Sequence, residues 1–408
     1  MPELLIIGGG YAGLWAAIAA ARRAQDAGAA LNIRLLSKDA YLTHRPRLYE
    51  CKPQDMRTPL EAVLEPIGVS LEVAEVTAID PAQRRVQAQM PDGGARDYHY
   101  DSLILAAGSV LRPPPIEVID AHAHNIDDHA GAMELDRHLG KIMTIAGPEK
   151  AAGPDTDTDT DADTVVIIGA GFTGIELAAE MRTRLAEHGG ADRAASAQVI
   201  LLDAAATVSE ELGPGPRPHI LAALQATGVE VRLNTEVRRI EGDCITLADG
   251  SEISAATVIV TAGVRASELA GNLGVATDAS GRLPVDANLR VRNVQNIFAA
   301  GDVAHALTDA SHVALMSCQH AMPMGRFAGY NAASELLNLP TMPYAQPRYV
   351  TCLDLGSWGA VFSTGWERRV EMVKAEAKAR KTFINTEAIY PPTNDRHAIL
   401  AAGAIPAP

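Results

Sequence analysis

The chain has 408 residues, 47% of them hydrophobic and 4% aromatic, with 35 basic against 50 acidic side chains for a net charge of −15. That length holds two or three domains with a sizeable core, built mostly from Ala, Val, Leu and Ile. The acidic balance argues against nucleic acid as a partner, and against tight binding to an anionic membrane unless one face is locally basic.

No charged region, apolar core and cleavage site precede the strand that begins at Glu3, and no apolar run approaches the length of a membrane span. A cytoplasmic protein is expected. Cys51, Cys244, Cys318 and Cys352 form no CxxC pair, so neither structural zinc nor a dithiol motif is indicated, and no metal is expected.

Leu4 to Leu14, LLIIGGGYAGL, reads as a buried strand, a glycine turn and the start of a helix that continues to about Ala27. Gly8, Gly10 and Gly13 have G-x-G-x-x-G spacing. Gly8 allows the sharp turn, Gly10 lets backbone N–H groups approach a pyrophosphate, and Gly13 lets helix and strand pack closely. The helix N-terminus then points its positive dipole end at the phosphates.

Asn32 to Leu36, NIRLL, is the next strand. A carboxylate is expected at its end to hold a ribose hydroxyl. The sequence there is Ser37-Lys38-Asp39, so Ser37 occupies the place and Asp39 is a substitute. Thr43 to Glu50, THRPRLYE, is a loop with His44, Arg45 and Arg47 that either lies over a bound ring or is a solvated turn. Residues 71–100 alternate around Asp92-Gly93-Gly94 and predict a small antiparallel meander. Tyr100 to Ser109, YDSLILAAGS, returns as a buried strand ending in the small residues Ala107 and Gly108, and three prolines from Pro113 close the segment.

Gly147 to Asp163 is low-complexity and acidic, and is expected to be a disordered or mobile insertion. The strand–glycine–helix grammar then repeats. Thr164 to Met181, TVVIIGAGFTGIELAAEM, carries Gly169, Gly171 and Gly174 at the same spacing. The following strand, Gln198 to Leu202, does have its carboxylate, Asp203. A carboxylate there favours NADH and repels the 2′-phosphate of NADPH. Two copies imply two dinucleotides. Residues 218–227 predict a helix, and 229–260 predict short strands. Thr257 to Gly263, TVIVTAG, ends the unit with a further strand. Asn293 to Val303, NVQNIFAAGDV, delivers Gly301 and Asp302 to a helix running from about His320 to Leu337. Beyond it lie β-like segments at 348–355 and 360–363, a helical stretch over Glu367 to Lys381, and a Pro-rich end.

Together, GGGYAG, YDSLILAAGS, GAGFTGIELAAE, TVIVTAG and NIFAAGD resemble the two-dinucleotide-binding flavoprotein (pyridine nucleotide-disulfide oxidoreductase-like) superfamily, in the family's order and over nearly the whole chain. The resemblance implies an α/β protein with two Rossmann-like three-layer dinucleotide-binding domains and a small α+β C-terminal domain. Residues 1–120 and 266–340 would form the FAD domain, 121–265 the NADH domain with its acidic insertion near 148–163, and 341–408 the C-terminal domain. It assigns FAD to Gly8, Gly10, Ala12, Gly13, Ser37, Lys38, Arg45, Ala107, Gly108, Gly301 and Asp302. It assigns NADH to Gly169, Gly171, Gly174, Glu176, Asp203 and Gly263.

Within that superfamily the chain is most similar to type II NADH dehydrogenase. His44 with PRLYE at 46–50 matches one of that branch's loops, Glu176 its nicotinamide-side glutamate, and Cys318-Gln319-His320-Ala321 its quinone motif, with Cys for the first Ala. The resemblance implies hydride transfer from NADH to FAD and electron transfer to a quinone-like small molecule. Gln319 and Glu176 would be catalytic, and Gln319 and His320 would touch the acceptor. Glu176 would position nicotinamide or relay a proton, or be a first-turn glutamate stabilised by the helix dipole. Two alternatives stay open: a soluble flavoenzyme with another acceptor, assisted by Cys51 or Cys352, and a flavoprotein with mainly a sensing or interaction role. In the tail, Trp366, Val370, Val373 and Ala377 form one stripe opposite Arg368, Arg369, Lys374, Lys378, Arg380 and Lys381. A basic amphipathic helix of that kind either lies on the inner membrane face or packs on its own protein. A homodimer is also left open.

Overall fold

The computed structural model describes residues 1–112, 116–119, 123–144, 163–261 and 263–405. The triple proline, the acidic run as far as residue 162, and Ala262 within TVIVTAG lie outside them.

Two five-stranded parallel sheets carry the molecule. The first orders its strands Ile297–Ala299, Ser102–Leu105, Glu3–Ile7, Asn32–Ser37 and Ser70–Val73. The second orders Ala123–His124, Thr257–Val260, Thr164–Ile168, Gln198–Leu202 and Val229–Arg232. Each central strand is buried on both faces, so it reads as an unbroken apolar run rather than an alternation. The two units pair their strands in matching register, with Ile7 opposite Leu36 in one and Ile168 opposite Leu202 in the other. Ser37 and Asp203 are therefore equivalent positions.

Each central strand is followed by its glycine helix, Tyr11–Asp26 and Phe172–Gly189. Gly8 and Gly169 have φ of 112° and 108°, a turn that a side chain would strain. A Cβ on Gly13 would lie 1.8 Å from the Gly8 carbonyl oxygen, and one on Gly174 would lie 1.9 Å from that of Gly169. The expected meander is present as Glu75–Asp80, Arg85–Gln89 and Ala95–His99.

The Cys318–Leu336 helix lies directly on the Tyr11–Asp26 helix. Small residues allow the close approach. A Cβ on Gly325 would sit 2.2 Å from the Ala12 carbonyl oxygen, and one on Gly329 would sit 2.0 Å from that of Ala16. This crossing brings the N-terminus of the second helix over the first glycine turn.

The C-terminal part is α+β. Val350–Asp354, Ala360–Thr364 and Arg369–Val373 form an antiparallel sheet, and the Lys374–Phe383 helix packs on its central strand. This corrects the helix expected over 367–381. Its first half is the third strand of the sheet, because pairing with residues 361–364 offers a partner that helical propensity cannot see. A second, unexpected helix, Arg396–Ala402, is capped by Asp395, whose side chain accepts from the Ala398 N–H at 3.1 Å. No helix among the described residues is long and apolar enough to cross a membrane.

The helix crossing yields a stability prediction. Gly329→Val should force the two helices apart and lower unfolding free energy by about 3 kcal/mol. Gly271→Val is the control, since a Cβ there meets nothing within 4 Å. Equal urea midpoints for the two variants would contradict the tight crossing.

Candidate functional site

The first glycine turn is open on the side faced by its helix. A Cβ on Gly10 would meet nothing within 4 Å. A Cβ on Gly301 (φ 74°) would instead meet Ala12 Cβ at 2.8 Å and Ala321 Cβ at 3.6 Å. The glycine helix, the Gly301–Val303 turn and the Cys318–Leu336 helix thus converge at one point. Asp302 lies there, half-buried, accepting from Ser109 Oγ at 2.6 Å. Burial raises its pKa against the opposing effects of Ser109 and the Arg45 guanidinium. Arg45 itself is held by Asp127 Oδ1 at 2.6 Å and by Ser109 Oγ at 3.2 Å. Ala107 and Gly108 connect the Ser102–Leu105 strand to Ser109, so they border this pocket. An open cradle above a helix N-terminus, with a half-buried carboxylate beside it, fits the pyrophosphate and ribityl chain of FAD.

At the end of the second strand, Ser37 is buried, and its Oγ accepts from Asp39 N–H at 3.3 Å. Lys38 points away and pairs with Glu75 at 2.9 Å on the surface. His44 is buried between three partners: Tyr11 Oη at 2.9 Å, Thr58 Oγ1 at 2.8 Å, and the Tyr390 ring stacked at 3.7 Å. Burial, aided by Arg47, lowers its pKa to about 4, so it is a neutral tie between the loop and the first turn of the glycine helix.

In the second unit the Asp203 carboxylate reaches the glycine turn. Oδ2 accepts from Ala170 N–H at 2.5 Å and Oδ1 from Ala205 N–H at 2.7 Å. Gly263 accepts Arg112 N–H through its carbonyl at 2.9 Å. Glu176, two residues beyond Gly174, is buried and paired: its Oε1 accepts from Lys381 Nζ at 2.8 Å and from Asp354 N–H at 2.9 Å. Asp354 in turn accepts from Tyr49 Oη at 2.9 Å and from Lys378 Nζ at 2.5 Å. Burial pushes the Glu176 carboxyl up to about 7, and Lys381 pulls it back. Burial pulls Lys381 down, but the Glu176 carboxylate outweighs that and leaves it raised, so the ammonium stays charged.

Of the two placements left open for the basic side of the tail, the structure has Lys381 and Arg368 both buried, packed on the protein itself. The signal available was spacing. Ala377 and Lys381 lie four apart on one helical face, and Ala377 is fully buried.

Gln319 and His320 open the Cys318–Leu336 helix. The Gln319 amide is committed at both ends, donating to Val350 O at 2.8 Å and accepting from Val350 N–H at 3.0 Å. It pins the edge of the C-terminal sheet to the helix. His320 is fully buried, with Nδ1 on Ser317 Oγ at 2.9 Å and, among the described residues, no partner for Nε2. Its ring stacks on Tyr349 at 5.4 Å, Tyr349 stacks on Trp366 at 4.4 Å, and Trp366 stacks on His312 at 4.5 Å. Cys51, Cys244, Cys318 and Cys352 are free thiols. Burial pushes Cys51, Cys318 and Cys352 up to about 11. Among the described residues no cluster of three His, Cys, Asp or Glu could hold a metal ion.

This geometry defines a flavoprotein oxidoreductase with two nucleotide folds. Residues 2–325 match the pyridine nucleotide-disulphide oxidoreductase family, and the chain belongs to it. Its cofactors are FAD and NADH. An NADH dehydrogenase-like protein of Mycobacterium tuberculosis is 42% identical over 409 aligned residues, covering 100% of this chain and 98% of its own. A type II NADH:quinone oxidoreductase of the same organism is 31% identical over 324 residues, 74% of this chain and 67% of its own. The NDH2 of Plasmodium falciparum, solved with NADH, has the same fold, with a TM-score of 0.78 at 13% identity over 98% of this chain and 97% of that one.

The buried pair gives a pH prediction. In Lys381→Met, Glu176 loses its counter-charge and its pKa moves above about 7, while in the unfolded chain it titrates near ~4.3. A carboxyl whose folded pKa is raised gives stability below the unfolded value and loses it as pH rises through the folded one. The variant should therefore lose about 3–5 kcal/mol at pH near 8 and less at pH near 5, read by urea unfolding. Equal losses at both would contradict a buried charged pair.

Proposed function

We propose that the protein oxidises NADH and passes the electrons through bound FAD to a quinone or quinone-like small molecule. Bound FAD supplies the two-electron redox chemistry. The observation that carries the reading is the convergence of Ala12, Gly301 and Ala321, which sets the N-terminus of the Cys318–Leu336 helix beside the FAD cradle. The positive end of its helix dipole favours negative charge there.

The chain's own residues then divide the work. Asp203, at the end of the second unit's strand, accepts from the ribose hydroxyls of NADH and repels an added phosphate. Glu176 would border the nicotinamide, and with a pKa of about 7 its carboxyl could hold or release a proton on Oε2 while Lys381 and Asp354 N–H hold Oε1 in place. Asp302 and Arg45 hold the FAD side. Gln319 positions Val350, and hence the C-terminal sheet, against the acceptor side. His320, neutral because burial lowers its pKa to about 4, supplies an unpartnered ring nitrogen on that side. The identity to an NADH dehydrogenase-like protein and to a type II NADH:quinone oxidoreductase supports the same acceptor class. The thiol-assisted alternative is not favoured, because burial holds Cys51 and Cys352 as neutral thiols. A lipid-dissolved quinone would make this a cytoplasmic protein that touches the membrane only at its surface.

The two half-reactions separate in a stopped-flow instrument. NADH should bleach the flavin far faster than NADPH, and Asp203→Ala should narrow that gap about tenfold. A soluble quinone should restore the yellow colour much faster than oxygen does. If quinones are no faster than oxygen, the acceptor is of another class.

A further inference from the structure

The two glycine turns differ in how open they are. The first is open at Gly10, whereas the second is covered. Phe172 N–H, the first amide of its helix, donates to Glu211 Oε1 at 3.1 Å. A Cβ on Gly171 would meet that same oxygen at 3.3 Å. The carboxylate therefore lies where a helix N-terminus receives a pyrophosphate.

The loop that carries it is fastened. Ser209 N–H donates to the Ala170 carbonyl at 3.0 Å, with Ser209 itself at φ 48°. Arg217 Nε donates to the Val208 carbonyl at 3.1 Å, and Arg368 Nη2 donates to the Glu211 carbonyl at 3.3 Å. Val208 and Leu212, on either side, are buried in the core. The backbone of 208–212 is thus fixed against the glycine turn, while the Glu211 side chain is exposed and can swing away.

We propose that Glu211 is an internal competitor for NADH: its carboxylate holds the anion position on the second glycine turn, and the dinucleotide pyrophosphate must displace it. This rests on the NADH assignment of the second turn. Two anions cannot share the Phe172 amide. After displacement the carboxylate stays tethered near the phosphates and repels them. The residue therefore weakens NADH binding and makes it depend on ionic strength.

The test uses ADP-ribose, which carries the adenosine and pyrophosphate of NADH without the nicotinamide. Its Kd for the FAD-loaded protein is measured by calorimetry for wild type, Glu211→Gln and Glu211→Ala, with melting curves for each. Both variants should bind about two- to fivefold more tightly, the range expected for a charge at a helix N-terminus. The gain should shrink as salt rises from about 0.01 M to about 1 M. A Glu211 that only caps its helix predicts lower melting and weaker or unchanged binding in the variants, and that result overturns the proposal. If wild type binds ADP-ribose and neither variant binds more tightly, the proposal alone fails. If wild type binds none at all, the NADH assignment fails and takes the proposal with it.

Discussion

Two backbone carbonyls constrain this protein more than any side chain does. The oxygens of Gly8 and Gly169 stand within 2 Å of where a Cβ on residues 13 and 174 would be. Only glycine lets each helix press its first turn against the end of its strand. That contact fixes the direction of the helix, and with it the direction of the partial positive charge at its N-terminus. The fit of these turns to a nucleotide follows from backbone geometry, before any side chain is considered.

Everything else is arranged around those two ends. The glycines at 325 and 329 let a third helix lie on the first glycine helix, and its N-terminus arrives beside Gly301 and Asp302. The C-terminal sheet and helix then close over the second unit. They are tied there by the buried Glu176–Lys381 pair and by the Tyr49, Asp354 and Lys378 network around it. Such a pair costs desolvation, so its value lies in position: it fixes the C-terminal helix over one end of the second unit.

The sequence was most legible where local rules suffice. Strand, glycine turn and helix are contiguous, so LLIIGGGYAGL and TVVIIGAGFTG could be read directly, and Asp203 follows from its place at a strand end. The tail was less legible because its structure is non-local. Arg369–Val373 becomes a strand only because Ala360–Thr364 is beside it, and Lys381 is buried only because Glu176, 205 residues away in sequence, is its partner. Gln319 was read as a group for the acceptor, yet both ends of its amide meet Val350, a pairing set by the fold of a later segment. Glu211 carries no motif at all. Its place on the Phe172 amide depends on how the loop from residue 204 onward folds back.

The central claim is that one chain holds two different nucleotides, each on its own glycine turn. The direct measurement is stoichiometry. FAD is released from purified protein by denaturation and counted against protein, and NAD⁺ is titrated into the FAD-loaded protein by calorimetry. One FAD and one NAD⁺ per chain is the predicted result. Protein that binds two FAD molecules, or that binds NAD⁺ only after FAD is removed, would show that the two turns do not have the separate roles assigned to them.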